Sequence, residues 1–149
     1  MSTAKGTPRN FSYTLPTHAE RGTFWRVWTD VKNWATWDSP LAESSLEGEW
    51  GVGTVGHLKT KSGQSSTFTV TEYEPQNSYA FTTKLPGASL VVRRYFTEQG
   101  DDLHFTHQVS FEGALAFLFA QLLGRGFRRD LPPVMENLVR VVAEIEGKG

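Results

Sequence analysis

The chain contains no cysteine, which excludes disulfides, thiol nucleophiles, thiolate zinc sites and iron–sulfur clusters. It also lacks a surplus of either charge, since 15 Lys and Arg against 16 Asp and Glu leave a formal net charge of −1. A nucleic-acid partner would need excess basic side chains to release counterions, so none is expected. Long hydrophobic runs are missing as well. The longest, Ala114 to Leu123, is interrupted by Gln121 and is too short to span a bilayer, so no membrane span is expected. Met1 to Pro8 holds no apolar stretch of the signal-peptide kind, and a cytoplasmic location is the expectation. No linker, composition shift or internal repeat divides the 149 residues, a length suited to one domain with a real core. Residues 1–8 are expected as a flexible tail and residues 9–149 as a single ligand-binding domain. No Ser-His-Asp order, glycine-rich phosphate loop or paired-carboxylate motif stands at a convincing spacing. Neither a metal nor a cofactor is expected.

Aromatic side chains are abundant. Five Trp, ten Phe and four Tyr make up 13% of the chain, enough either to fill a core or to wall an apolar pocket. Phe11, Tyr13 and Leu15 alternate with polar residues, which reads as a first strand. Thr17 and Glu20 have the spacing of a capping box for a helix whose apolar stripe is Phe24, Trp25, Val27, Trp28 and Val31. A second short helical turn fits Lys32 to Trp37, ended by Asp38-Ser39-Pro40. Six strands follow, at Ala42–Trp50, Thr54–Lys61, Ser65–Glu74, Ser78–Leu85, Leu90–Glu98 and Leu103–Glu112, separated by Gly-, Pro- and Asn-rich turns. Connections this short allow only antiparallel neighbours.

After Gly113 the period becomes helical, first through Leu115, Leu118, Phe119 and Leu122, then through Leu131, Met135, Leu138, Val142 and Ile145. Gly124, Gly126 and Pro132-Pro133 predict a break between Leu123 and Pro133, with Asp130 capping the second half. The whole is an α+β fold: a curved antiparallel sheet of six to seven strands around a long, kinked C-terminal helix, with two short helices after the first strand. A twisted sheet cannot touch its covering helix everywhere, so a cavity between them is expected. Gly56, lacking a side chain, adds room to it. The break is expected to act as a gate.

The run from Phe24 to Asp38 resembles the signature of the START-like (SRPBCC) superfamily: an aromatic helix, an Asp, then Trp34 and Trp37 ahead of a Pro. Val52-Gly53-Thr54, Val70 to Pro75, the Phe96–Phe105 hairpin and the closing Leu131-Pro132 and Leu138 to Glu144 resemble its other parts. The nearest group is the polyketide cyclase/dehydrase and lipid-transport subfamily. That resemblance covers nearly the whole chain from Phe11 onward. It implies a helix-grip fold with a deep apolar cavity, binding of lipids, hormones or polyketides, and in a minority of members cyclisation or dehydration. Fold alone does not fix which.

Parity sorts the polar candidates. In the last strand His107 shares a face with Leu103, Phe105, Val109 and Phe111, whereas His104 shares the opposite face with Asp102, Thr106 and Gln108. The two histidines therefore do not form a metal pair. His107 is either a core histidine or a group that orients a ligand oxygen or moves a proton. If Phe96 pairs with Leu103, Arg94 also faces inward, diagonal to His107. A buried Arg needs a partner: Glu72, Glu112 or the acid of a ligand. Its other reading is a side chain reaching out to the cavity rim. Tyr79 or Tyr95 could add a hydroxyl inside or near the cavity. Arg125, Arg128 and Arg129 read as a solvated cluster or as a basic cavity mouth.

The expected ligand-binding residues are Trp34, Trp37, Phe68, Phe81, Arg94, Phe105, His107, Phe119 and Phe127. Three functions compete. The first is a carrier or sensor of an apolar, lipid- or polyketide-like molecule. The second is a cofactor-free cyclase/dehydrase with His107 and Arg94 as catalytic residues. The third is a protein-binding module, which would need a large exposed apolar patch. The sequence sets no oligomeric state.

Overall fold

The structure, a computed structural model, describes residues 3–147. Its elements run β1 (Lys5–Thr7), β2 (Asn10–Thr17), α1 (Arg21–Thr29), a 3-10 turn (Val31–Thr36), β3 (Leu41–Leu46), β4 (Val55–Thr60), β5 (Ser65–Glu74), β6 (Ser78–Leu85), β7 (Ala88–Gln99) and β8 (Asp102–Glu112). Helix α2 (Ala116–Phe119) then passes through a π-helical turn (Ala120–Gly124) into α3 (Arg125–Ile145). The eight strands form one antiparallel sheet in the order β1-β2-β8-β7-β6-β5-β4-β3. This is the α+β, helix-grip arrangement, with α3 packed against β2 and α1.

The strand count is eight, above the six or seven expected. The extra strand comes from residues 1–8. Lys5–Thr7 pairs with β2, and Ala4 is buried in the core, so the described part of the expected flexible tail is an edge hairpin. Three residues are too few for a periodicity to register in the sequence. Met1 and Ser2 lie outside the described residues. The capping box is absent: Thr17 ends β2, and its hydroxyl accepts from the Ala19 N–H at 3.1 Å, so α1 starts after Glu20 without a side-chain cap. Strand β3 stops at Leu46 rather than Trp50. Its pairing with β4 slips between Leu41 and Glu43, and that of β5 with β6 between Val70 and Glu72. Such irregularities bend strands and increase the sheet's twist.

The helix break also differs from expectation. Pro132 and Pro133 lie inside α3, as does Asp130, and the departure from α geometry is upstream at Ala120–Gly124. Ahead of and within that turn, the buried positions are Ala116, Ala120 and Gly124, an interval of four. After it they are Leu131, Val134, Met135, Leu138 and Val142. A wider π turn shifts the helical phase, which lets both buried stripes meet the same core. Gly124 is required for another reason. A Cβ there would lie 2.3 Å from the carbonyl oxygen of Pro8, so only glycine lets the helix approach the β1–β2 hairpin this closely.

Candidate functional site

Helix α1 ends at Thr29, so its last carbonyls have no helical N–H to accept from. Aromatic donors take that role. The Trp28 carbonyl accepts from Tyr79 Oη at 2.7 Å and from Trp34 Nε1 at 2.9 Å, and the Thr29 carbonyl accepts from Trp50 Nε1 at 2.8 Å. The amphipathic rings bury their area and spend their polar tips on the helix end. This clamp fixes the floor of the candidate site.

Arg94 and His107 sit above it as direct cross-strand neighbours, because Phe96 pairs with Phe105 and not with Leu103. The Trp28 indole donates to His107 Nε2 at 2.9 Å and stacks on the imidazole with centroids 5.7 Å apart. Burial holds the His107 pKa well below the usual histidine value, and the nearby Arg94 charge pushes it the same way. A neutral ring with Nε2 accepting fits both facts.

Arg94 is only 6% exposed. Its Nη1 donates to Tyr79 Oη at 2.9 Å, and its guanidinium carbon lies 4.9 Å from the Trp34 ring, 5.2 Å from Trp37 and 5.2 Å from Phe81. An aromatic cage of this kind stabilises a desolvated cation. The expected carboxylate partners are elsewhere. Glu72 pairs with Arg93 at 2.9 Å on the other face, and Glu112 is exposed. Burial drives the Tyr79 hydroxyl pKa up to about 12, with Arg94 opposing the rise. Tyr95 stacks with Arg93 instead.

The acid that sequence reasoning missed is Asp38, treated there only as a helix stop. Its pKa is raised to about 6, chiefly by burial; Arg94 pulls it down and Asp130 pushes it up. Asp38 thus brings a carboxyl near neutrality into the field of Arg94. Its place directly after Trp37 was the one available signal. Two buried donors in this cluster, Arg94 Nε and Trp37 Nε1, have no hydrogen-bond acceptor among the described residues.

Trp34, Trp37, Phe68, Phe81, Phe105, Arg94 and His107 are all buried here, and their rings close on one another: Phe68 lies 4.7 Å from Phe81, and Trp34 stacks on Phe68 at 5.9 Å. The space expected at Gly56 is taken by Phe68, whose ring atoms would lie 2.1 Å from an added Cβ. Phe119 is half-buried against the core, whereas Phe127 is 41% exposed and stands apart from the cluster. His104 occupies the opposite face of β8 from His107. An open groove of about 700 Å³ runs along β3, β4 and β5, lined by Lys32, Ser44, His57, Lys59, Ser66 and Thr67. Its lining shares no residue with the Arg94 cluster.

Residues 10–143 match the family model for polyketide cyclase / dehydrase and lipid transport. No curated protein sequence matches the chain. Among solved structures, a protein from Nitrosomonas europaea aligns with a TM-score of 0.71 at 10% identity, over 97% of this chain and 100% of that one. A hypothetical protein from Helicobacter pylori gives 0.72 at 13% identity, over 91% and 89%. Norcoclaurine synthase from Thalictrum flavum, in complex with dopamine and hydroxybenzaldehyde, gives 0.67 at 12% identity, over 91% and 87%. At such identities the likeness is one of fold.

Proposed function

Because the chain belongs to the polyketide cyclase/dehydrase and lipid-transport family, we propose that it binds an apolar, lipid- or polyketide-like molecule between sheet and C-terminal helix, as a carrier or sensor. The observation that carries this reading is Arg94: a caged, buried cation that has, among the described residues, no carboxylate in hydrogen-bonding range and no acceptor for its Nε. A buried charge is costly when its donors lack acceptors, and Asp38 acts on Arg94 through its field without a hydrogen bond. A ligand oxygen beside Arg94 and Trp37 Nε1 would relieve that cost, while the surrounding rings take the apolar body. For such a body to enter, the rings about Phe68 and Phe81 must part, and the helix from Ala116 onward is the wall that can move with them.

The test compares two probes of equal chain length, decanoate and decanol, by displacement of a fluorescent naphthalene sulfonate from wild type and Arg94→Gln. Loss of a charge-assisted hydrogen bond, worth about 1.5–3 kcal/mol, should weaken decanoate on the order of tenfold or more and leave decanol nearly unchanged. Equal effects on both probes would sink the reading. Mass spectrometry of what co-purifies would name the natural ligand class.

A second reading, a cofactor-free cyclase/dehydrase, is favoured by Asp38. A carboxyl whose pKa is raised to about 6 suits proton transfer near neutral pH, and Thalictrum norcoclaurine synthase is an enzyme on this fold. Under this reading Asp38→Asn should lower turnover of a polyketide-like substrate by about 10²–10⁴-fold, with little change in binding.

A further inference from the structure

Five of the exposed large apolar side chains, Leu115, Phe117, Leu118, Leu122 and Phe127, fall within one stretch of helix, and Leu122 is 67% and Phe117 59% exposed. Their arrangement follows the helix period. Ala116, Ala120 and Gly124 turn inward, and Phe117, Leu118, Gln121, Leu122, Arg125 and Arg129 turn outward at spacings of three, four and seven. The exposed positions continue from α2 through the π turn into α3. Charge on the face is of one sign. From Gly113 to Arg129 the chain has three Arg and no Asp or Glu. Arg128 is tied to the Ala4 carbonyl at 3.0 Å, and Arg129 shares Asp130 at 3.2 Å.

We infer that this face docks on an anionic lipid surface, with Phe117, Leu118 and Leu122 inserted into the headgroup boundary and Arg125 and Arg129 on lipid phosphates. An apolar helix face bordered by arginines is what such binding requires. A second copy is the poorer occupant, because two such faces would set arginine against arginine across apolar surface. This inference stands apart from the ligand reading, since none of its residues belongs to the Arg94 cluster.

Co-sedimentation of the whole protein with phosphatidylcholine vesicles, with and without phosphatidylglycerol, tests it. Binding should depend on phosphatidylglycerol and fall with added salt. Arg125→Gln with Arg129→Gln should weaken partitioning on the order of tenfold. Phe117→Glu with Leu122→Glu should abolish it. Both pairs are exposed, so circular dichroism and the melting temperature should be unchanged, which separates lost docking from lost folding. Three results would overturn the inference: no sedimentation with either vesicle, binding indifferent to both pairs, or a wild-type dimer that Phe117→Glu dissolves. The last would assign the face to self-association.

Discussion

Trp28, Trp34 and Tyr79 are fully enclosed, and their polar tips meet a histidine nitrogen or the carbonyl at the end of α1. From Leu115 to Phe127 most of the large apolar side chains face water, while the fully buried positions are alanines and a glycine, with Phe119 and Leu123 half-buried beside them. Both regions are apolar in sequence, yet one is built to resist change and the other adds little to the core. Apolar residues therefore contribute stability only where the fold gives them something to touch.

The sharpest way to break this comparison is a pair of truncations. Trp34→Ala should cost about 3–5 kcal/mol, the range for emptying a large buried aromatic site, since Trp34 contacts Phe68, Phe81 and Tyr79. Leu122→Ala should stay within about 0.5 kcal/mol. Urea denaturation measures both, and comparable losses would erase the distinction.

A smaller effect is expected from His107→Phe. It leaves the buried Trp28 N–H without an acceptor, at a cost of about 1–3 kcal/mol. The variant should also alter the pH profile. The folded protein resists protonating His107, so below about pH 6.5 the unfolded chain takes up a proton the fold refuses, and stability falls as pH falls. Asp38 works in the opposite sense. Between 3.8 and about 6 the fold holds a proton that the unfolded chain has released, so stability falls as pH rises through that window. The two trends oppose each other in wild type.

The smallest effect is a change of slope that separates them. His107→Phe should be relatively more stable near pH 4 than near pH 6, whereas Asp38→Asn should lose stability more steeply on acidification. Urea midpoints at the two pH values decide it. Identical slopes in all three proteins would remove both groups from the account.

Much of this architecture is legible in the sequence. Ser65–Glu74 and Ser78–Leu85 are readable to the residue because Gly, Pro and Asn turns bound alternating runs on both sides. Parity alone puts Arg94 and His107 on the inner face. Their direct pairing is invisible, because a two-residue slip of register preserves parity while changing every neighbour. Asp38 was hidden by its other role as a helix terminator. The placement of Pro132-Pro133 inside a helix defeats a local rule, since the phase change that accommodates the helix lies a turn or more upstream.

The sheet's strand order has a consequence for how the protein is made. Strands β3 to β8 follow one another, so each can pair as soon as its neighbour leaves the ribosome. Strand β2 has no such luxury, because Phe11 pairs with Val109 and Thr17 with Leu103. At roughly 5–20 residues per second, β2 waits on the order of 5–20 s for its partner. Until then it has only the three residue pairs it makes with β1, and an isolated two-strand hairpin is marginal in water. Alternating Phe11, Tyr13 and Leu15 stay open to adventitious strand partners throughout that interval. Slowing translation after residue 20 should therefore increase aggregation of the nascent chain more than slowing it after residue 112.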